Sequence, residues 1–253
     1  MKKLIALAML LASTSLASAA DLPVMPLKSP YMAAPIFSWS GFYLGSSIGG
    51  GWAHDTDSDT LTVTHNGVAK TVGMDTISGS MGGFVTGIQG GYNYQLGAFV
   101  LGGEADIYTS SQSGTGSVAL TTKPLVGATD SITNRINMFG TLRGRAGWLM
   151  TPSLLLYGTG GFAWQHVDFN EGVTLPNNGP TIGLATGQST RAGWTVGGGA
   201  EWNFAGNWTA RLQYLYIDTG TFAVNTALTP TVNLATTIHT INNVATVGVN
   251  FKF

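Results

Sequence analysis

Cysteine is absent from the 253-residue chain, which excludes disulfides, thiolate nucleophiles and Cys-ligated zinc together. Charge is scarce: 11 Lys+Arg and 12 Asp+Glu make up 9% of the residues, against about 25% in an ordinary soluble domain. So few charges do not coat a soluble protein of this size. The formal net charge of −1 leaves no electrostatic footprint for nucleic acid. Long apolar runs are missing too, since none reaches the ~18 residues that a membrane-spanning helix needs. Yet a hydrophobic content of 44% argues against compositional disorder. Glycine is abundant, with 36 residues, about twice average usage. These limits describe a chain that meets lipid with something other than helices.

The N-terminus supplies a compartment. Met1-Lys2-Lys3 is a short positive segment, Leu4 to Ala12 is apolar, and Ala17-Ser18-Ala19 fits a small-residue cleavage site. Residues 1–19 therefore read as a cleaved secretory signal peptide of bacterial style. Residues 20–37 hold Pro23, Pro26, Pro30 and Pro35, too many for a ladder, and read as an extended periplasmic linker. Residues 38–253 remain for the fold.

From Trp39 onward the period is two. Phe42, Leu44, Ile48 and Trp52 alternate with Tyr43, Gly45, Ser47, Gly49 and Gly51, so one face is apolar and the other small and polar. Seven further segments behave alike, near 82–95, 99–109, 135–149, 154–166, 191–204, 207–217 and 247–253. In the fourth, Ile136, Met138, Leu142, Ala146 and Trp148 oppose Asn137, Thr141, Arg143 and Arg145. Short turns near Leu96-Gly97-Ala98, Thr151-Pro152-Ser153 and Ala205-Gly206 alternate with long polar stretches at 53–80, 110–133, 168–190 and 218–240. Short periplasmic turns and long outer loops are the arrangement of bacterial outer-membrane barrels. The expected fold is all-β, an eight-stranded antiparallel transmembrane β-barrel with both ends on the periplasmic side.

Aromatic placement agrees. Phe42/Trp52, Phe84/Tyr92, Leu156/Trp164, Trp194/Trp202 and Trp208/Tyr216 share faces eight to ten residues apart. At ~3.3 Å per residue and a tilt near 40° this spans roughly 20–25 Å of membrane normal. Phe42, Trp52, Tyr92, Trp148, Trp164, Trp194, Trp202, Trp208 and Tyr216 are read as two aromatic girdles. A soluble lipocalin-like barrel would be apolar inside. Here the charges share a parity with the glycines, and the tryptophans take the other face.

Ala20-Asp21-Leu22-Pro23, Phe37-Ser38-Trp39-Ser40-Gly41-Phe42-Tyr43-Leu44-Gly45, Phe139 to Gly147, Gly193-Trp194-Thr195-Val196-Gly197, Asn207 to Asp218 and Val249 to Phe253 together resemble the outer-membrane immunogenic protein family of Gram-negative bacteria. The resemblance covers the linker and nearly every strand, but not the long loops. It implies a porin-like barrel in the cell outer membrane with structural and surface-exposed roles and no catalytic residues. Val247, Val249, Phe251 and Phe253 also resemble the terminal signal read by the barrel-assembly machinery, although a lipid-facing last strand explains the same residues.

Interior charges are expected to pair across neighbouring strands: Glu104 and Asp106 with Arg145 and Arg143, and Glu201 with Arg211, with Lys252 a further cation near the periplasmic mouth. An eight-stranded barrel has room inside only for side chains, and unpaired charges there are costly. The pairs read as a plug, and a narrow small-solute pore is the rival. Other motifs carry less. Gly158-Thr159-Gly160-Gly161-Phe162-Ala163 fits a dinucleotide fingerprint but lacks the following helix. Asp55, Asp57 and Asp59 start like a calcium loop whose required Gly is Thr60; they read as a solvated loop. Asn66-Gly67 suggests a hairpin above the membrane, which leaves a ten-stranded barrel as the lesser option. His166 and Asp168 share a parity and admit a lipid-modifying enzyme as a third reading. No cofactor or metal is expected. The partners expected are outer-membrane lipid and lipopolysaccharide, the assembly machinery, and host or phage surface ligands.

Overall fold

The computed structural model describes residues 37–253 except 66, 67, 121–125, 178, 230 and 231; the signal peptide and all of the linker but Phe37 lie outside them. Strand-forming alternation produces β1 (Gly41–His65), β2 (Val68–Leu96), β3 (Phe99–Ala119), β4 (Thr129–Thr151), β5 (Leu154–Thr174), β6 (Thr181–Ala205), β7 (Trp208–Thr229) and β8 (Val232–Lys252). Each is antiparallel to its neighbours, and β8 pairs back on β1 to close an eight-stranded ring. The last bond of closure joins the Phe253 amide to the Phe42 carbonyl at 2.9 Å. Closure leaves no edge facing hydrocarbon, where an unpaired amide would cost several kcal/mol.

The periplasmic turns are where the sequence puts them. Gly97 and Gly206 adopt φ of 61° and 49° there, a left-handed conformation that glycine enters without a Cβ clash. Side chains alternate as read: Phe42, Leu44, Ile48, Leu101, Leu142, Val196 and Leu212 point outward, while Ser47, Gln89, Thr195, Gln213 and Asn250 are buried in the lumen.

Two expectations need correcting. The outer stretches are mostly strand. β1 and β2 pair up to His65/Val68, and β7 and β8 up to Thr229/Val232. Asn66 and Gly67 themselves lie outside the described residues, but the arms foreseen on either side of them are continuations of β1 and β2, so the described residues form eight strands and not ten. The alternation was hidden because polarity changes sign above the outer aromatics. There Ile132, Ile238 and Val173 point inward, and Thr56, Thr133, Thr186 and Thr237 outward. Once a wall leaves lipid it faces water, and the apolar face turns to the core.

Ile136 also faces the lumen, fully buried, not lipid. A bulge in β4 leaves Asn137 without a cross-strand partner in β5 between the pairs Ile136/Val167 and Met138/His166. One extra residue reverses the parity below it, so Ile136 and Phe139 both point inward.

Leu212 is exposed on the outer wall midway between Trp208 and Tyr216. Leu212→Arg puts a guanidinium near the bilayer midplane and is expected to destabilise the barrel by about 2–4 kcal/mol. Urea unfolding in phospholipid vesicles, followed by loss of the heat-modifiable band, measures it.

Candidate functional site: a sealed lumen and an aromatic outer wall

The lumen is filled in layers. At the periplasmic mouth Trp39 is almost completely buried among Val100, Leu155 and Tyr157, with Phe37 and Leu149 beside it. Its indole Nε1 donates to the Pro152 carbonyl at 3.1 Å, and its amide donates to Gln95 Oε1 at 2.9 Å. Both bonds reach across strands, so the segment entering the barrel also stoppers it. Trp39 has the inward parity of Tyr43, and that parity is the sequence signal for its direction.

Above Trp39 lies an ionic crossbar. Glu104 (β3) accepts from Arg143 Nη2 (β4) at 2.5 Å, from Arg211 Nη1 (β7) at 2.7 Å and from the Tyr43 hydroxyl (β1) at 2.6 Å. Arg143 also donates to Asp106 at 2.5 Å, and Thr141 donates to Asp106 at 2.7 Å. Arg145 (β4) donates to Glu201 (β6) at 2.8 Å and packs over the Tyr157 ring (β5), 4.1 Å from its centroid. Glu201 further accepts from Thr209 at 2.6 Å and Asn250 (β8) at 2.8 Å. Gln89 (β2) donates to Asn250 at 2.7 Å, so all eight strands contribute. Three carboxylates meet three guanidiniums, and the set is neutral. Arg211 and Gln213 are in contact as well.

The predicted charges therefore converge, with different partners. Arg143 serves both Glu104 and Asp106, while Arg145 crosses to Glu201 and lies 3.6 Å from Glu104. Glu201 and Arg211 are opposite in register, but Arg211 bonds Glu104 across the lumen. Narrowness is the reason: long side chains span the interior, and lumen glycines leave them room. A Cβ on Gly91 would lie 2.5 Å from the Tyr43 hydroxyl, and one on Gly199 2.6 Å from that of Tyr157. Lys252 is outside the network; its ammonium lies 5.5 Å from the Phe37 ring centroid at the mouth.

Apolar side chains cap the crossbar. Tyr108 and Phe139 stack with centroids 4.9 Å apart, packed with Val85, Ile136, Leu215, Ile217 and Val244. Both aromatics sit on the charged parity of their strands, so the alternation places them inward as well. Next comes an amide layer, Gln112 to Asn242 at 2.8 Å and Asn134 to Asp55 at 2.7 Å. Asp55 is thus a buried lumen residue and not part of a solvated loop. Desolvation pushes its carboxyl above the usual range, against the pull of Asn134 and Arg191. Ile132, Ile238 and Leu120 fill the top. Residues 158–163 form mid-strand β5, with no helix to carry a dinucleotide.

On the outer wall Phe42 packs on Tyr92 at 4.8 Å, Phe99 on Trp148 at 4.5 Å and Trp208 on Phe251 at 4.9 Å, at the level of the periplasmic turns; Trp202 stands with Phe204 there. Trp52 with Tyr214, Trp194 with Tyr216, and Trp164 stand toward the outer end. Val247, Val249 and Phe253 are exposed on the same face of β8.

A closed ring of eight strands, apolar without and polar within, ringed by aromatics at two levels, defines the bacterial transmembrane β-barrels. The chain belongs to the family described as outer membrane protein beta-barrel domain, whose model matches residues 4–253. It is 36% identical over 251 residues to the 31 kDa outer-membrane immunogenic protein of Brucella melitensis, covering 94% of this chain and 93% of that one. Among solved structures it is similar to OprG of Pseudomonas aeruginosa, with 16% identity, TM-score 0.47, 85% of this chain and 96% of that one. It is likewise similar to the outer membrane protease OmpT of Escherichia coli, with 13% identity, TM-score 0.47, 86% and 98%. The protein is an outer-membrane barrel.

Glu104→Gln removes the charge that balances Arg143 and Arg211 and is expected to destabilise the barrel by about 3–5 kcal/mol. Tyr43→Phe, which removes a donor to Glu104 and an acceptor for Arg145 but leaves every charge paired, is expected to cost less, about 1.5–3 kcal/mol. Comparing the two in equilibrium unfolding tests the crossbar.

Proposed function

We propose that the protein works through its wall and its outward hairpins: it stiffens the outer membrane and presents surface to the cell's surroundings, with no flow through its centre. The observation that carries this is the row of side chains occupying the lumen, in which Trp39, the Glu104 network and the Tyr108/Phe139 stack succeed one another from the periplasmic mouth upward. The relative from Brucella melitensis is named an immunogenic protein, which supports reading the hairpins as a surface antigen. Outer-membrane phospholipid and lipopolysaccharide contact the girdles, and host or phage surface molecules meet the hairpins. Residues 1–19 serve as the export signal ahead of the 20–37 linker.

The protein carries no catalytic activity in this reading. His166 has Thr190 Oγ1 at 3.0 Å from Nδ1 and Asp168 Oδ1 at 3.7 Å from Nε2, the makings of a base with a hydroxyl. These groups stand on the outer wall, and the backbone around them belongs to the β4–β5 and β5–β6 ladders. A reaction developing an oxyanion needs donors aimed at it, and the β5 backbone around His166 is laddered to β4 on one side and β6 on the other.

Purified protein in planar lipid bilayers is expected to give no current steps above baseline, and incubation with phospholipid or lipopolysaccharide no turnover. Stable openings would replace this reading with a channel; product release would replace it with an enzyme. The second expectation concerns assembly. Deleting Phe253 removes the exposed terminal aromatic of the Val247, Val249, Phe251, Phe253 series, and should lower outer-membrane levels more than total synthesis. Unchanged surface levels, compared by fractionation and immunoblot, would leave these residues with only a lipid-facing role.

A further inference from the structure

Among the described residues, the ring above the outer girdle is not hydrogen-bonded all the way round. The β2–β3 ladder ends at Gly82/Ser113 and the β6–β7 ladder at Trp194/Asp218. The other pairs climb much further, β1–β8 to Val63/Val232, β3–β4 to Ala119/Thr129, and β5–β6 to Thr174/Thr181. Two four-stranded sheets therefore rise from the membrane, β7-β8-β1-β2 and β3-β4-β5-β6. Ile132 of one packs on Ile238 of the other, with Val118 and Phe169 alongside.

The two seams differ. Between β2 and β3 the backbones stay close: a Cβ on Gly114 would lie 2.2 Å from the Ser80 carbonyl, and one on Gly79 3.8 Å from the Gly116 amide. Each of those edges covers the other. Between β6 and β7 the close approach is at the base, where Gly193 abuts Asp218 and Thr219. Directly above it β7 bulges between Asp218 and Thr221, with Gly220 at a φ of 67°. From there upward, among the described residues, Thr181–Gly193 is laddered on the β5 side alone, and Thr221–Thr229 on the β8 side alone.

Natural sheet edges are blunted by Lys, Pro, inward charges or covering segments. Residues 181–190 read TIGLATGQST and residues 219–229 read TGTFAVNTALT; neither holds a charge or a proline. We infer that the upper edge of β6 is a docking site where an extended, uncharged polypeptide segment from outside the cell adds as a further strand. Backbone donors and acceptors in a row select a strand over a helix, a lipid or a sugar. The absence of charge on 181–190 selects an uncharged strand and removes long-range steering. The outward Thr186, Gln188 and Thr190 favour Thr and Ser opposite them. The inference borrows from the surface-presentation reading only the side of the membrane on which the edge stands. Conductance and turnover test that reading separately.

Hydrogen exchange on the full-length protein in phospholipid vesicles tests it, with a synthetic peptide of residues 219–229 as probe, an uncharged segment that continues the stretch 208–218 which pairs antiparallel with β6 lower down. At about 1 mM peptide, the weak end of specific binding, exchange over 181–190 should slow roughly tenfold, equally at low and high salt, with 76–81 unchanged. Thr186→Lys with Gln188→Lys restores an edge guard and should abolish this protection while the heat-modifiable band persists. No slowing with wild-type protein overturns the inference. So does protection already present without peptide: if independent of protein concentration, β7 closes the seam, and if it rises with concentration, a second copy fills it.

Discussion

Hydrocarbon offers a backbone amide no water, and this constraint organises the rest of the molecule. Every N–H and C=O in the membrane must find a partner in the wall, so the wall closes. Eight strands make a ring just wide enough for side chains. What lines that ring must then pack and pair with itself.

The lumen shows how a narrow polar interior is satisfied. Three carboxylates and three guanidiniums would be prohibitive singly, but Glu104 alone is held by donors from three other strands. Such a network is weak evidence for stability relative to an apolar core, because desolvation offsets much of the attraction. Its consequence is specificity: β1, β3, β4 and β7 meet at Glu104 in one register only. The apolar Tyr108/Phe139 layer above and Trp39 below keep water from the ions, which strengthens each bond and raises the cost of losing any one of them.

Leaving the membrane removes the constraint, and the structure changes character where that happens. Above Trp52, Trp164 and Trp194 the outside turns to threonine and the inside to isoleucine and valine. Two ladders stop, since amides there can bond to water, and a closed cylinder becomes two sheets packed face to face. The surface beyond the membrane is built where backbone pairing stops being compulsory.

Membrane strand number, the outward and inward faces, the tight turns at Gly97 and Gly206, the outward aromatics and the lumen charges were all legible in the sequence. They follow from a period of two and from local turn chemistry, which depend on adjacent residues. Trp39, Tyr108 and Phe139 were legible by the same parity. The inward turn of Ile136 was not, because a bulge depends on how β4 pairs with both neighbours. Nor were the strand extensions beyond the girdles, because alternation of hydropathy reports the medium outside the wall, and that medium changes from lipid to water. The choice of Glu104 by Arg211 and of Glu201 by Arg145 belongs to the tertiary structure alone: partners several strands apart meet only when the ring has closed at a particular tilt and diameter, and no spacing along the chain encodes that distance.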